Sequence, residues 1–132
     1  MGLSPIFREY QQMNKTILIV DDEPNIVISI KYLLKHAGYE VVTAYDGQQA
    51  LDCLLDSRPA LMILDVMMPK KDGFEVCEEV RADSRFADMP ILMLTAKGSE
   101  AEKNKGFSLG ADGYVTKPFS THDLVERVKS LL

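Results

Sequence analysis

The sequence predicts an α/β fold: one doubly wound (βα)5 domain on a five-stranded parallel sheet. Three observations predict it. Five short apolar runs recur along the chain, three of them continuous rather than alternating, as in strands covered on both faces. Segments with apolar residues at helical spacing lie between them. The 132 residues, 46% hydrophobic and 27% charged, suffice for one buried core and exclude disordered, collagen-like and disulfide-scaffold chains. Right-handed crossovers then give an open parallel sheet with helices on both sides.

Ile17-Leu18-Ile19-Val20 is the first strand. Ile26, Val27, Ile30, Leu33 and Leu34 make one helix face, with Pro24 suited to its first turn and Gly38 to its stop. Val41, Val42 and Ala44 form the second strand, whose end at Ala44-Tyr45 suits a sheet edge. Asp46 with Gln49 caps a second helix bearing Ala50, Leu51, Leu54 and Leu55. Leu61-Met62-Ile63-Leu64 is the third strand, and Phe74, Cys77, Val80 and Arg81 mark a third helix of weaker pattern. Ile91-Leu92-Met93-Leu94 is the fourth strand. Ser99 with Glu102 opens a fourth helix, expected to be mobile because interior Gly106 costs about 1 kcal/mol against Ala. Tyr114-Val115 is the fifth strand, and Ser120 with Asp123 caps a fifth helix carrying Leu124, Val128 and Leu131. Residues 1–14 show no clear periodicity and read as a tail, linker or short added helix before a domain over 15–132.

Fifteen basic against twenty acidic residues give −5, which argues against direct nucleic-acid or membrane binding. No apolar stretch reaches the roughly 18 residues a bilayer span needs, and the N-terminus has neither a secretory pattern nor, with Ile6 in the required Ser/Thr place, a myristoylation motif. The cytoplasm is therefore the expected compartment, with Cys53 and Cys77 reduced and structural. His36 and His122 read as surface histidines, outside any ligand cluster.

Open parallel sheets bind at the carboxyl ends of their strands. Asp21 and Asp22 follow the first apolar run, Asp65 the third, Thr95 the fourth and Lys117 the fifth. Alone, each has an ordinary reading as a turn, a cap or an exposed lysine; their coincidence at four strand ends marks a site. Converging carboxylates repel one another and need a cation. Lys117 and a bound metal are the two available, and oxygen-only ligands point to Mg²⁺ rather than zinc. A carboxylate beside Mg²⁺, an ammonium and a hydroxyl suits phosphoryl transfer, with Asp65 as nucleophile and Thr95 and Lys117 facing the transferred oxygens.

Val20-Asp21-Asp22-Glu23, Leu64-Asp65-Val66-Met67-Met68-Pro69 with Asp72-Gly73, Leu94-Thr95-Ala96, and Gly110-Ala111-Asp112-Gly113-Tyr114-Val115-Thr116-Lys117-Pro118-Phe119 together resemble the receiver domain of bacterial two-component response regulators. The resemblance covers about Thr16 to Leu132 and implies a flavodoxin-like sheet of strand order 2-1-3-4-5. It implies that Asp65 accepts a phosphoryl group from a sensor histidine kinase, a phosphotransfer protein or a small donor such as acetyl phosphate. Asp22, Asp65 and the Met67 backbone carbonyl would hold Mg²⁺, with Asp21 acting through a water. Thr95, the Ala96 backbone and Lys117 would bind the phosphoryl oxygens, and Lys117–Pro118 would be a cis peptide.

Thr95 and Tyr114 match the family's switch pair: once Asp65 is phosphorylated, Thr95 moves to the phosphoryl group and Tyr114 turns inward. Met67 and Lys97 would line the site mouth. The readout face would be the fourth helix, fifth strand and fifth helix, acting on a downstream effector protein or output domain. Lys103, Lys105, Asp112, Asp123 and Arg127 there partly match receivers that dimerise weakly through that face, although Gly113 replaces a common acidic residue. Kinase pairing would lie on the first helix around Asn25, Ile26 and Ser29. The expected function is a phosphorylation-dependent switch, not a turnover enzyme on an external substrate. It is read either as a stand-alone regulator or as a receiver excised from a longer protein. The alternatives are a pseudo-receiver that only binds proteins and a Mg²⁺-dependent phosphatase. The phosphatase wants a second Asp where Met67 stands.

Overall fold

The computed structural model describes residues 15–96 and 98–132; the tail expected over 1–14 and the position of Lys97 lie outside the described residues. The chain runs β1 (Thr16–Val20), α1 (Pro24–His36), β2 (Glu40–Ala44), α2 (Gly47–Ser57), β3 (Leu61–Asp65), α3 (Gly73–Ala82), a 3-10 turn (Ser84–Phe86), β4 (Ile91–Thr95), α4 (Glu100–Ser108), β5 (Gly113–Thr116) and α5 (Thr121–Leu131). The sheet is parallel, in the order β2-β1-β3-β4-β5. This is the doubly wound architecture that the apolar runs predict.

The pleat sorts each strand's side chains onto two cores. Ile17 and Ile19 pack with Val27, Ile30 and Leu34 of α1 and Leu124 and Val128 of α5. Leu18 and Val20 pack on the other side with Ala50 and Leu54 of α2 and Val76, Cys77 and Val80 of α3. Covering on both faces is why the runs do not alternate. Asp46, Asp72, Ser99 and Ser120 each accept the N–H three residues on, at 2.8, 2.9, 3.2 and 3.0 Å. Such caps contribute about 1 kcal/mol each. Among the described residues no helix is long and apolar enough to cross a membrane.

Three local readings change. Leu55 is exposed rather than part of the α2 face. The buried face of α3 keeps Cys77 and Val80, adds Gly73 and Val76, and leaves Phe74 half-buried at its edge and Arg81 outside it. Gly73 sets that rotation, because a Cβ there would lie 2.3 Å from the Asp65 carbonyl oxygen, so the helix starts in contact with the β3 backbone. Arg81 is a polar staple: Nε donates to the Gly110 carbonyl and one terminal N–H to the Phe86 carbonyl, both at 2.9 Å, and the other pairs with Asp112 at 2.8 Å. Asp112 also accepts the Ile91 N–H at 2.8 Å, so its carboxylate ties α3 and the start of β4 together.

Candidate functional site

The register brings the strand ends level. Val20 is paired with Leu64, Asp65 with Leu94, and Thr95 with Thr116. Asp21, the residue after β1, thus stands beside Asp65, and Lys117, the residue after β5, beside Thr95. Asp21, Asp65 and Thr95 are 0%, 3% and 1% exposed, while Asp22 and Glu23 are open to solvent. The Lys117 N–H donates to the Thr95 carbonyl at 2.7 Å, and the Lys117–Pro118 peptide is cis.

Lys117 is the hub. Its Nζ lies 2.9 Å from Asp21 Oδ2 and 3.4 Å from both Asp65 Oδ1 and Glu23 Oε1. Asp21 Oδ1 accepts the Glu23 N–H at 2.9 Å. Burial, with the Asp21 charge added, pushes the Asp65 carboxyl up to about 7, against the pull of Lys117 and the Met67 N–H. Burial alone would draw the Lys117 ammonium down, but Asp21, Asp65 and Glu23 outweigh it and raise it. The lysine is therefore held charged, while one buried carboxyl is poorly compensated.

One oxygen from each of Asp21, Asp22, Glu23 and Asp65 falls within 4.8 Å of the others. A donor set of carboxylate oxygens without nitrogen or sulfur fits a hard divalent cation such as Mg²⁺. Glu23 is the member that the sequence did not single out: it follows the Asp pair, but only the chain turn over Asp21 aims it at Lys117. Met67 is 71% exposed at the rim.

Thr95 Oγ1 donates to the Glu102 carboxylate of α4. Tyr114 is already inside, its hydroxyl donating to the Glu102 carbonyl at 3.0 Å and its ring edge-on to Phe107. The reason is Gly106: a Cβ there would lie 1.9 Å from the Tyr114 hydroxyl, so the glycine is a seat for the ring. A groove of about 720 Å³ runs between α4, β5 and α5, with Lys103, Tyr114, Asp123 and Arg127 on its walls. His36 and His122 are exposed and outside the carboxylate cluster.

Residues 17–129 match the response regulator receiver domain family. Among solved structures, the chemotaxis protein CheY4 of Vibrio cholerae is 39% identical, with a TM-score of 0.87, 90% of this chain and 99% of that one being covered. A candidate response regulator from Chloroflexus aurantiacus is 41% identical, with a TM-score of 0.86 and coverage of 89% and 97%. The signal receiver domain of a signal transduction histidine kinase from Syntrophus aciditrophicus is 32% identical, with a TM-score of 0.83 and coverage of 89% for both chains. Fold and site define a signalling module of the two-component class. The chain belongs to the family of response regulator receiver domains.

Proposed function

We propose that this protein is a phosphorylation-dependent switch in which Asp65 accepts a phosphoryl group. The observation that carries the reading is a buried carboxyl, Asp65, gathered with Asp21, Asp22 and Glu23 and 3.4 Å from Lys117 Nζ. An Asp65 carboxylate oxygen attacks phosphorus while the bond to the donor breaks, releasing the imidazole of a phosphohistidine or the acetate of acetyl phosphate. Lys117 Nζ neutralises a phosphoryl oxygen, and the Thr95 hydroxyl and Ala96 N–H donate to the others. Asp22, Asp65 and the Met67 carbonyl would hold Mg²⁺, with Asp21 acting through a water. Bound there, the cation supplies charge neutralisation for the carboxylates and the transferred group.

The physiological donor is then a sensor histidine kinase or phosphotransfer protein docked over α1, and the reader an effector protein or output domain on the α4-β5-α5 face. Phosphorylation changes local charge and biases that face between two arrangements. Neither nucleic acid nor membrane enters this reading, and the cytoplasm is the matching compartment.

Intact mass after incubation with acetyl phosphate tests it. One phosphoryl increment is expected with Mg²⁺, none without it, and none in Asp65→Asn. If wild type gains nothing from either acetyl phosphate or a kinase donor while Mg²⁺ still binds, the chain is a binding-only pseudo-receiver.

A further inference from the structure

We propose that Glu102 is a positioning residue whose carboxylate competes with the phosphoryl group for the Thr95 hydroxyl. The inference rests on the reading of Asp65 as phosphoacceptor and adds a residue to it. A threonine hydroxyl has one proton to donate. Thr95 is buried, and among the contacts of its hydroxyl is the Glu102 carboxylate, to which it donates. It cannot serve a phosphoryl oxygen on Asp65 at the same time. Occupancy of Asp65 therefore has to break the Thr95–Glu102 bond.

The position of Glu102 gives that exchange a mechanical reach. The residue lies in the first turn of α4, where its N–H donates to the capping Ser99 hydroxyl at 3.2 Å. Its carbonyl accepts the Tyr114 hydroxyl. One residue thus touches Thr95 through its side chain and Tyr114 through its backbone. When Thr95 turns to the phosphoryl group, Glu102 loses a donor and faces a new anion. Both changes push the first turn of α4 away from the site. As an anionic acceptor already in place, Glu102 sets a threshold: the phosphoryl group must outbid a charge-assisted hydrogen bond before Thr95 moves.

Beryllofluoride, which with Mg²⁺ forms a phosphoryl-like adduct on a carboxylate, is the probe. Its affinity is measured in wild type, Glu102→Gln, Glu102→Ala, Thr95→Val and Thr95→Val/Glu102→Ala. Removing the competitor in Glu102→Ala should tighten binding about five- to tenfold, the worth of one charged hydrogen bond less its replacement by water. Glu102→Gln, nearly isosteric and still an acceptor, should fall between. In the Thr95→Val background the Glu102→Ala change should shrink below about twofold. Equal tightening with and without the Thr95 hydroxyl would reduce Glu102 to a general charge effect and overturn the proposal. Unchanged or weaker binding in folded Glu102→Gln overturns it as well. Failure of wild type to bind beryllofluoride or gain a phosphoryl group would instead remove the reading of Asp65 itself.

Discussion

Helix α1 lays Val27, Ile30 and Leu34 into the core shared with Ile17, Ile19, Ile63 and Leu92. Helix α4 buries only Gly106 and has no aliphatic stripe. It is held by the Tyr114 hydroxyl on the Glu102 carbonyl, by the Thr95–Glu102 bond, by Phe107 against Tyr114, and by Lys105 4.5 Å above the Phe74 ring. Apolar burial is non-directional and tolerates no alternative short of exposure. Polar and ring contacts can be exchanged for equivalent ones at small net cost. The helix nearest Thr95 and Tyr114 is therefore attached by the exchangeable kind, which is where low local stability belongs in a signalling domain.

The largest effect expected is on the α1 side. Ile30→Ala should cost about 2–5 kcal/mol by urea denaturation, because the cavity opens in a packed layer. The charge at the site comes next, and it should act on both helices alike. In metal-free protein the folded Asp65 carboxyl titrates near 7 against an ordinary 3.8. Between those values the native state keeps a proton that the unfolded chain has released. Stability should thus fall as pH rises from about 4 to about 7, by up to about 4 kcal/mol, and level off above. Asp65→Asn should flatten that slope, and millimolar Mg²⁺ should reverse it by favouring the ionised carboxylate; a slope that survives in Asp65→Asn would assign it to another group.

A smaller loss, about 1–3 kcal/mol, is expected for Gly106→Ala, which drives a methyl into the Tyr114 hydroxyl. In a Tyr114→Ala background the same change should become neutral or stabilising by up to about 1 kcal/mol, because only the helix preference for Ala remains. Additive costs would mean that the glycine serves the backbone and not the ring. The smallest effect lies back on the α1 side: among the described residues the buried Tyr39 hydroxyl has no hydrogen-bond partner. Tyr39→Phe should therefore leave stability unchanged or raise it by less than about 1 kcal/mol in the same denaturation assay.

The strands were readable because covering on both faces forces continuous apolar runs such as Ile17–Val20 and Ile91–Leu94. Asp21, Asp65, Thr95 and Lys117 were readable because each is the polar residue that ends such a run. Contacts between elements were not. Gly106 looks like a helix defect until the Tyr114 ring is seen above it, and Arg81 looks like the edge of an apolar face until three acceptors surround its guanidinium. The α3 face was legible at Cys77 and Val80 but not at Gly73, whose close approach to the β3 backbone carries no hydropathy signal. Glu102 matched a capping pattern, and its N–H does meet Ser99; the destination of its carboxylate depends on β4, which linear spacing does not encode. The same holds for Glu23, whose approach to Lys117 depends on β5.

The span between Asp65 and Lys117, 52 positions along the chain, has a consequence during biosynthesis. A ribosome releases the carboxylates of the first and third strands well before the ammonium that neutralises them, and domains complete their folding as the later segments emerge. Until β5 docks, the cluster is an anionic patch with no lysine to hold a phosphate. With Asp65 as the phosphoacceptor proposed above, a chain truncated before that strand is expected to lack the Lys117 contribution to phosphoryl binding, which arrives together with the final strand of the sheet.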